Sequence, residues 1–274
     1  MTATQSDSAG TIATLWRYPV KSMRGEELNA VDITLRGVTG DRGYAVIDAE
    51  TGKVASAKHP KKWGRLFDCR ATLGPNDTSG HDAPVHVMLP DGSWAMSSTT
   101  DIDGRLSAML GRAVRLTTAV PPAPQLEEYW PDVPGRARQN AVTDEAMPAG
   151  TFFDGALVHL MTTATLDALR RLYPEGRFEV RRFRPNLVVS SAKGETRFIE
   201  NDWINRTLAI GKDLRLKVTG PCARCVMTTL SQGDLPEDSG ILRTAVRHNQ
   251  AAVGVYATVL SPGRIVRGDQ IRIL

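Results

Sequence analysis

Short runs in which hydrophobic and polar residues alternate dominate this chain, and that spacing predicts β-strands. The alternation is cleanest over residues 28–35, where Val31, Ile33 and Leu35 fall on one face. Further strands, separated by glycine-, proline- and aspartate-rich turns, are predicted at residues 12–18, 44–47, 53–57, 85–89, 94–97, 114–118, 157–161, 186–190, 207–210, 214–218, 254–260 and 270–273. Residues 225–230 are also β-prone.

Few segments show the spacing of an amphipathic helix. Hydrophobic residues recur at helical intervals in residues 101–110, which follow the capping residue Thr100 and stop at Gly111. Two further short helices are predicted at residues 165–172 and 241–249. The sequence therefore predicts a mostly β protein with a few short helices, built as a barrel or a sandwich.

A proline-rich stretch without clear periodicity separates two parts of the chain. It spans residues 120–152 and holds Pro121, Pro122, Pro124, Pro131, Pro134 and Pro148. We expect an irregular connection there, because long loops of this kind usually serve a site or link domains. This division predicts an N-terminal domain at residues 11–119 and a C-terminal domain at residues 153–274.

Composition and charge narrow the class of protein. The 274 residues are 41% hydrophobic and 23% charged, which is typical of a globular protein. A net charge of +4 is too small to indicate a nucleic acid partner. The chain has no run of 18 apolar residues, and its first ten residues lack the basic and apolar regions of a signal peptide. We therefore expect a cytoplasmic protein without a membrane partner.

The strongest chemical signal is the motif Cys222-Ala-Arg-Cys225. A zinc site would need two more ligands, and a thioredoxin-type pair would open a helix, whereas both flanks of this motif are strand-like. Two buried structural thiols are a third interpretation. The surrounding glycine, proline and arginine are typical of a loop, and this favours a single thiolate that binds a soft metal.

Other reaction classes have no motif in this sequence. The phosphate-binding loop, the dinucleotide fingerprint, the zinc-protease motif and the nucleophile elbow are all missing. Three cysteines in total are too few for an iron–sulfur cluster held by four thiolates.

Several polar residues lie in glycine- or proline-marked loops at the ends of predicted strands. Lys21, Ser22, Arg42 and Arg184 are candidates for binding one anionic group, since arginine offers a bidentate fork and lysine a point charge. Asn186 offers both a donor and an acceptor for a heterocycle or a carbonyl. Solvated surface positions are the alternative interpretation for each of them.

Four of these motifs together carry a family resemblance. Tyr18-Pro-Val-Lys-Ser22, Gly40-Asp-Arg-Gly43, Phe183-Arg-Pro-Asn186 and Cys222-Ala-Arg-Cys225 occur in the order seen in two-part MOSC proteins. These proteins combine an N-terminal β-barrel segment with a molybdenum cofactor sulfurase C-terminal domain. The chain is similar in this respect to the mitochondrial amidoxime reducing components and their bacterial counterparts, from about residue 12 to residue 274.

The resemblance implies a role for each matched position. Cys225 matches the cysteine that ligates molybdenum. Lys21 and Ser22 match the pair that contacts the pterin phosphate, and Arg42, Arg184 and Asn186 match further contacts to molybdopterin. Asp154 matches an aspartate near the metal and the substrate, and is the second expected catalytic residue beside Cys225. Cys222 has no ligand role by this comparison and is expected to be a structural thiol.

The function implied by the resemblance is reduction of small N-hydroxylated compounds by a molybdenum cofactor enzyme. Electrons are expected from a separate donor protein of the ferredoxin or flavodoxin type with its reductase. Two alternatives stay open at this point. One is a carrier of the cofactor or a sulfur-handling protein that uses Cys225, and the other is a β-barrel binding module with structural cysteines.

Overall fold

The computed structural model describes residues 7–74, 83–134, 138–191 and 194–274. The strands are β1 (Asp7–Arg17), β2 (Glu26–Leu28), β3 (Ala30–Thr34), β4 (Gly37–Val38), β5 (Ala45–Asp48), β6 (Arg70–Leu73), β7 (Val85–Met88), β8 (Trp94–Met96), β9 (Val114–Thr117), β10 (Gln125–Trp130), β11 (Ala141–Ala146), β12 (Val158–Thr162), β13 (Leu187–Ser190), β14 (Thr207–Ile210), β15 (Leu214–Ala223), β16 (Ala252–Ser261), β17 (Gly263–Val266) and β18 (Gln270–Ile273). The helices are α1 (Pro60–Trp63), α2 (Ile102–Leu110), α3 (Thr163–Leu172), α4 (Val180–Phe183) and α5 (Gly240–Asn249). The predicted class, mostly β with a few short helices, is confirmed.

Seven strands close into a barrel, in the order β13-β12-β16-β15-β14-β18-β1, with β1 pairing back onto β13. Alternating side chains such as Leu15, Leu160 and Leu216 fill its interior and are fully buried. Within the barrel, β12 and β13 pair in parallel, and α3 and α4 form the crossover that this pairing requires. The fold therefore places the turn after α4 next to the start of β13, which matters for the candidate site.

β1 ties the two parts of the chain together. It pairs with β13 on one side and with β18 and β2 on the other, although all other barrel strands come from residues after 157. At Gly10, where β1 bulges, a Cβ atom would lie 2.0 Å from the carbonyl oxygen of Ser190, so only glycine allows this approach. The predicted domain limits at residues 119 and 153 remain a prediction.

The N-terminal part packs a second core beside the barrel. Its sheets are β5-β9 and β6-β7-β8, while β3 and β4 join β17 from the C-terminal end. Trp63, Leu66 and Leu106 belong to this core and are almost completely buried. Gly111 ends α2 in the left-handed conformation, as predicted.

Four sequence predictions are wrong. Residues 53–57 form no strand, since Val54 makes only an isolated bridge with Ile47. Asp101 rather than Thr100 precedes the first residue of α2, and no side chain caps this helix. Residues 120–152 are not irregular throughout, because β10 and β11 form a hairpin between the prolines. The prolines flank these strands, and acidic side chains on both strands conceal the apolar alternation that marks most strands. Residues 225–230 do not form a strand, since Val226–Thr229 is a 3-10 turn.

Among the described residues, no helix is long and apolar enough to span a membrane.

Candidate functional site

A cleft beside the barrel collects most of the predicted site residues. It has about 620 Å³ of free space, including the part open to solvent. Its walls come from the loop after β11, the first residues of β12, the turn after α4 and the segment that ends β15. Five predicted residues line it, namely Arg42, Asp154, Arg184, Asn186 and Cys225. Lys21 and Ser22 lie outside this lining.

Lys21 reaches the cleft through Asp154. Its ammonium donates to Asp154 Oδ1 and to the Phe152 carbonyl oxygen, both at 2.9 Å. Burial lowers the pKa of Lys21, although Asp154 opposes that shift. A second ammonium, that of Lys58, lies 3.5 Å from the same Asp154 oxygen. Asp154 is therefore a counter-ion shared by two lysines, with its side chain 38% exposed.

The two lysines also fix the ionisation of Asp154. Burial alone would raise the pKa of its carboxyl, but the attraction of Lys21, Lys58 and Arg42 outweighs burial and holds that pKa far below its usual range. The pKa of Lys58 is raised instead. Burial alone would lower it, but the interactions with Asp154, Cys225 and Glu128 outweigh burial. At neutral pH Asp154 is a carboxylate, so it accepts hydrogen bonds rather than donating a proton.

Ser22 has a structural hydrogen bond of its own. Its hydroxyl oxygen accepts from the backbone N–H of Ala57 at 3.1 Å, and its side chain is 2% exposed. Its backbone is left-handed, with φ of 63°. The loop after β1 turns at this residue, and the turn carries Lys21 toward Asp154.

The ring of Tyr18 contacts two guanidinium groups of the cleft wall. The central carbon of Arg184 lies 4.2 Å from the ring centroid and that of Arg42 lies 4.9 Å from it. Both arginines have left-handed backbones, with φ of 53° and 47°. The Tyr18 hydroxyl is buried and has no hydrogen-bond partner among the described residues.

The two arginines differ in whether a carboxylate neutralises their charge. Arg42 pairs with Asp41, a fully buried carboxylate that also accepts from the backbone N–H of Tyr18 at 2.7 Å. Arg184 donates to the Met23 carbonyl oxygen at 2.6 Å and has no carboxylate partner among the described residues. Burial, together with the charge of Arg42, lowers the pKa of Arg184 to about 10. Arg184 therefore keeps an uncompensated positive charge at the cleft.

Asn186 is occupied by the protein itself. Its side-chain oxygen accepts from the backbone N–H of His159 at 3.1 Å. Its amide nitrogen donates to Asp41 Oδ2 at 3.0 Å and to the Trp16 carbonyl oxygen at 3.4 Å. These bonds join β1, β12 and the Gly40–Gly43 turn. The side chain of Asn186 therefore holds these three segments of the cleft wall together.

Cys225 begins the 3-10 turn after β15 and is partly exposed at the cleft. The turn is held by Arg182, which is fully buried and donates to the carbonyl oxygens of Thr228, Leu230 and Pro236. Burial raises the pKa of the Cys225 thiol, while Lys58, Arg224 and the Met227 backbone N–H oppose that rise. Without a metal this thiol is therefore protonated at neutral pH.

Cys222 has a different environment. It is 1% exposed, which agrees with a structural thiol, but it accepts a hydrogen bond from the Arg224 guanidinium. Burial would raise the pKa of this thiol, but Arg224, His159 and the Tyr256 hydroxyl outweigh it and lower the pKa to about 6. The sequence did not indicate this arginine–thiolate pair.

Sequence reasoning also missed several residues that line the cleft. The residues that sequence reasoning missed are Lys58, Phe153, His159, Arg224 and Tyr256. Arg224 lies inside the cysteine motif and was available as a signal. Lys58 and Tyr256 belong to no motif of the sequence, and only the folded chain brings them to Asp154 and Cys222.

The donor set of the cleft fits a molybdenum cofactor. Among the described residues, no group of three or more His, Cys, Asp or Glu side chains could hold a bare metal ion. A metal at Cys225 would therefore take most of its ligands from an organic group, as a dithiolene provides. Four cationic side chains line the cleft against one carboxylate, which suits an anionic phosphate-bearing cofactor.

Comparisons with known proteins place the whole chain in a family. The sequence model of the MOSC domain matches residues 148–272, and that of the MOSC N-terminal beta barrel domain matches residues 9–91. Human mitochondrial amidoxime-reducing component 1 is 26% identical over 295 residues, covering 97% of this chain and 83% of the human protein. Rat mitochondrial amidoxime reducing component 2 is 28% identical over 256 residues, covering 87% and 70% respectively.

A solved structure also aligns with nearly the whole chain. The YUAD protein from Bacillus subtilis covers 98% of this chain and 94% of its own, with 12% identity and a TM-score of 0.47. The two sequence models and the curated relatives together settle the family. The chain is a MOSC-domain protein that carries a MOSC N-terminal beta barrel domain.

Proposed function

We propose that this protein is a molybdenum-cofactor-dependent oxidoreductase that reduces small N-hydroxylated compounds, such as amidoximes and hydroxylamines, with electrons from a separate donor protein. One observation carries the proposal: a partly exposed thiol, Cys225, stands at a cationic cleft, and no group of three or more His, Cys, Asp or Glu side chains among the described residues could hold a bare metal ion. The names of the human and rat relatives support the substrate class.

The chain's own residues divide into two groups by task. Cys225 would supply the protein thiolate to the metal, and Lys58, beside it, favours loss of the thiol proton. Arg42 and Arg184 would bind the anionic part of the cofactor through charge-assisted hydrogen bonds. When bound, the cofactor supplies a two-electron reduction in which one N–OH group and two protons give an N–H group and water.

Asp154 has the right charge state to bind the substrate. It is ionised, 38% exposed and lines the cleft with Cys225. A carboxylate there accepts hydrogen bonds from the amino and hydroxyl groups of an amidoxime, and attracts the cationic amidine that forms. We therefore assign Asp154 to substrate orientation, and we assign the delivery of protons to solvent or to another group of the cleft.

Direct analysis of the loaded protein tests this proposal. The chain should be produced in a host that synthesises the cofactor, and then assayed for molybdenum by elemental analysis and for pterin by fluorescence after oxidation. We expect close to one molybdenum and one pterin per chain. Protein that contains neither, produced beside a known molybdenum enzyme that is loaded in the same host, would refute the proposal.

A further inference from the structure

A second cavity lies behind the cleft wall and has a strongly cationic lining. It has about 620 Å³ of free space, including the part open to solvent, and shares only Arg184 with the lining of the cleft. Its other polar lining residues are Tyr18, Arg24, Arg70, Arg181 and Gln232. They come from the loop after β1, the start of β6, α4 and a tight turn at Gln232–Leu235.

The arginines of this cavity carry more charge than their neighbours neutralise. Arg181 pairs with Glu179 and with Asp234, which are carboxylates outside the lining. The other three arginines donate only to carbonyl oxygens in the described part of the chain: Arg24 to Asp68, Arg70 to Gly25 and Arg184 to Met23. No carboxylate lines the cavity among the described residues. Three guanidinium charges therefore surround it without an ion-pair partner.

The same residues hold unused hydrogen-bonding groups. Arg24 Nε, the Tyr18 hydroxyl and Gln232 Nε2 are buried and have no partner among the described residues. Tyr18 and Gln232 are each 2% exposed, so water does not replace the missing partner easily. Buried donors of this kind destabilise a fold unless an acceptor reaches them. Each of the three can donate to the oxygen of an anion.

The backbone at Gly233 lets two of the guanidinium groups converge. A Cβ atom there would lie 3.1 Å from Arg24 Nη1 and 3.9 Å from Arg181 Nη1. The residue is left-handed, with φ of 60°, in the turn that carries Gln232. Glycine therefore keeps this space free between two cationic groups.

We propose that this cavity is a binding site for a phosphate group, either free orthophosphate or the phosphate of a small organic ester. Arginine forks and a neutral amide donor match the several acceptor oxygens of a tetrahedral dianion. The free space of this cavity, about 620 Å³ including the part open to solvent, leaves room for a small organic group beside the phosphate. The proposal does not depend on the function proposed for the cleft.

Calorimetric titration at constant ionic strength tests the site, with orthophosphate and phenyl phosphate as separate probes and phenol as the uncharged control. We expect saturable binding of one equivalent of at least one phosphate probe, and a preference between the two identifies the source. Arg24→Gln should weaken binding roughly 10- to 150-fold, as expected for losing a hydrogen bond to a charged group. Gln232→Leu should weaken it without changing the charge of the protein.

Two matched variants decide the location of the anion. Arg264→Gln removes the same charge from the exposed pair with Asp32 and should leave binding unchanged. Arg42→Gln removes a charge from the cleft and should also leave it unchanged. Absence of saturable binding, equal weakening by Arg264→Gln, or loss through Arg42→Gln while Arg24→Gln binds normally would each overturn the proposal. Near-ultraviolet circular dichroism confirms that every variant is folded.

Discussion

The ammonium of Lys21 lies 2.9 Å from Oδ1 of Asp154, a residue 133 positions further along the chain. The sequence assigned these two residues to different tasks, the first to a phosphate and the second to the metal and substrate. The structure joins them in one ion pair, which Lys58 extends toward Cys225. The charge of Lys21 is therefore already used within the protein, and that of Arg184 is not.

Asp154→Asn tests this shared counter-ion. Removing the carboxylate leaves Lys21, whose side chain is 5% exposed, beside a neutral amide. We expect the free energy of unfolding to fall by roughly 1 kcal/mol, a value reduced from that of a fully buried pair because Asp154 is partly exposed. Urea unfolding at neutral pH measures this. Asp234→Asn, which breaks an exposed pair with Arg177 and Arg181, is the control and should change stability less. Equal losses in both variants would contradict the shared role.

Arg184→Gln should weaken cofactor binding more than Lys21→Gln. Arg184 lines the cleft with an uncompensated charge, so its loss removes a charge-assisted hydrogen bond that contributes about 1.5–3 kcal/mol, or roughly 10- to 150-fold in affinity. Occupancy of molybdopterin at limiting cofactor measures the effect. A larger loss in Lys21→Gln would show that the cofactor phosphate displaces Asp154 from Lys21.

The two cysteines of the motif should respond differently to replacement by serine. Cys225→Ser removes the partly exposed thiol at the cleft, and we expect bound molybdenum to fall at least tenfold. Cys222→Ser removes a buried thiol that accepts from Arg224, and most of the metal should remain. Elemental analysis of both variants from the same host checks this. The reverse pattern would move the metal ligand to Cys222.

Glu200 gives the fold a pH dependence that is independent of the cleft. It is fully buried, accepts from the hydroxyls of Thr162 and Thr165 at 2.7 Å, and burial raises the pKa of its carboxyl. The folded protein therefore keeps a proton that the unfolded chain releases above about pH 4.3. The contribution of Glu200 to the free energy of unfolding is therefore fully present below that pH. It decreases as the pH rises toward the pKa that Glu200 has in the folded protein.

Glu200→Gln should accordingly lose less stability than the wild-type protein as the pH rises from 4 to 7. Urea unfolding across this range measures the difference, and Glu175→Gln, at an exposed position, controls for the lost charge. Parallel profiles for the wild-type protein and Glu200→Gln would contradict the raised pKa of Glu200.

Local patterns in the sequence predicted the local parts of the fold. Helix α3 begins within two residues of its predicted start, since Leu166 and Leu169 are buried and Thr162 caps the helix by accepting from the Thr165 N–H. Local patterns could not predict that the barrel closes, because β1 pairs with β13, which lies more than 170 residues further along the chain. Three of the four motifs contribute residues to the cleft lining, and the first motif contacts it through the hydrogen bond from Lys21 to Asp154.

Side-chain partners in the site could not be predicted from spacing. The amide of Asn186 has acceptor and donor groups suited to a cofactor, but three protein groups occupy them. The opposite protonation of Cys222 and Cys225 depends on Arg224, His159 and Lys58, whose positions follow from tertiary packing.

Turnover of benzamidoxime by the cofactor-loaded protein tests the central claim most directly. With NADH alone we predict no reduction, because the sequence has neither a dinucleotide fingerprint nor enough cysteines for a four-thiolate cluster. With reduced methyl viologen, or with a ferredoxin and its reductase, we predict steady formation of benzamidine that is abolished in Cys225→Ser. Protein that holds molybdenum but forms no benzamidine with any of these donors would contradict the account and favour a cofactor carrier.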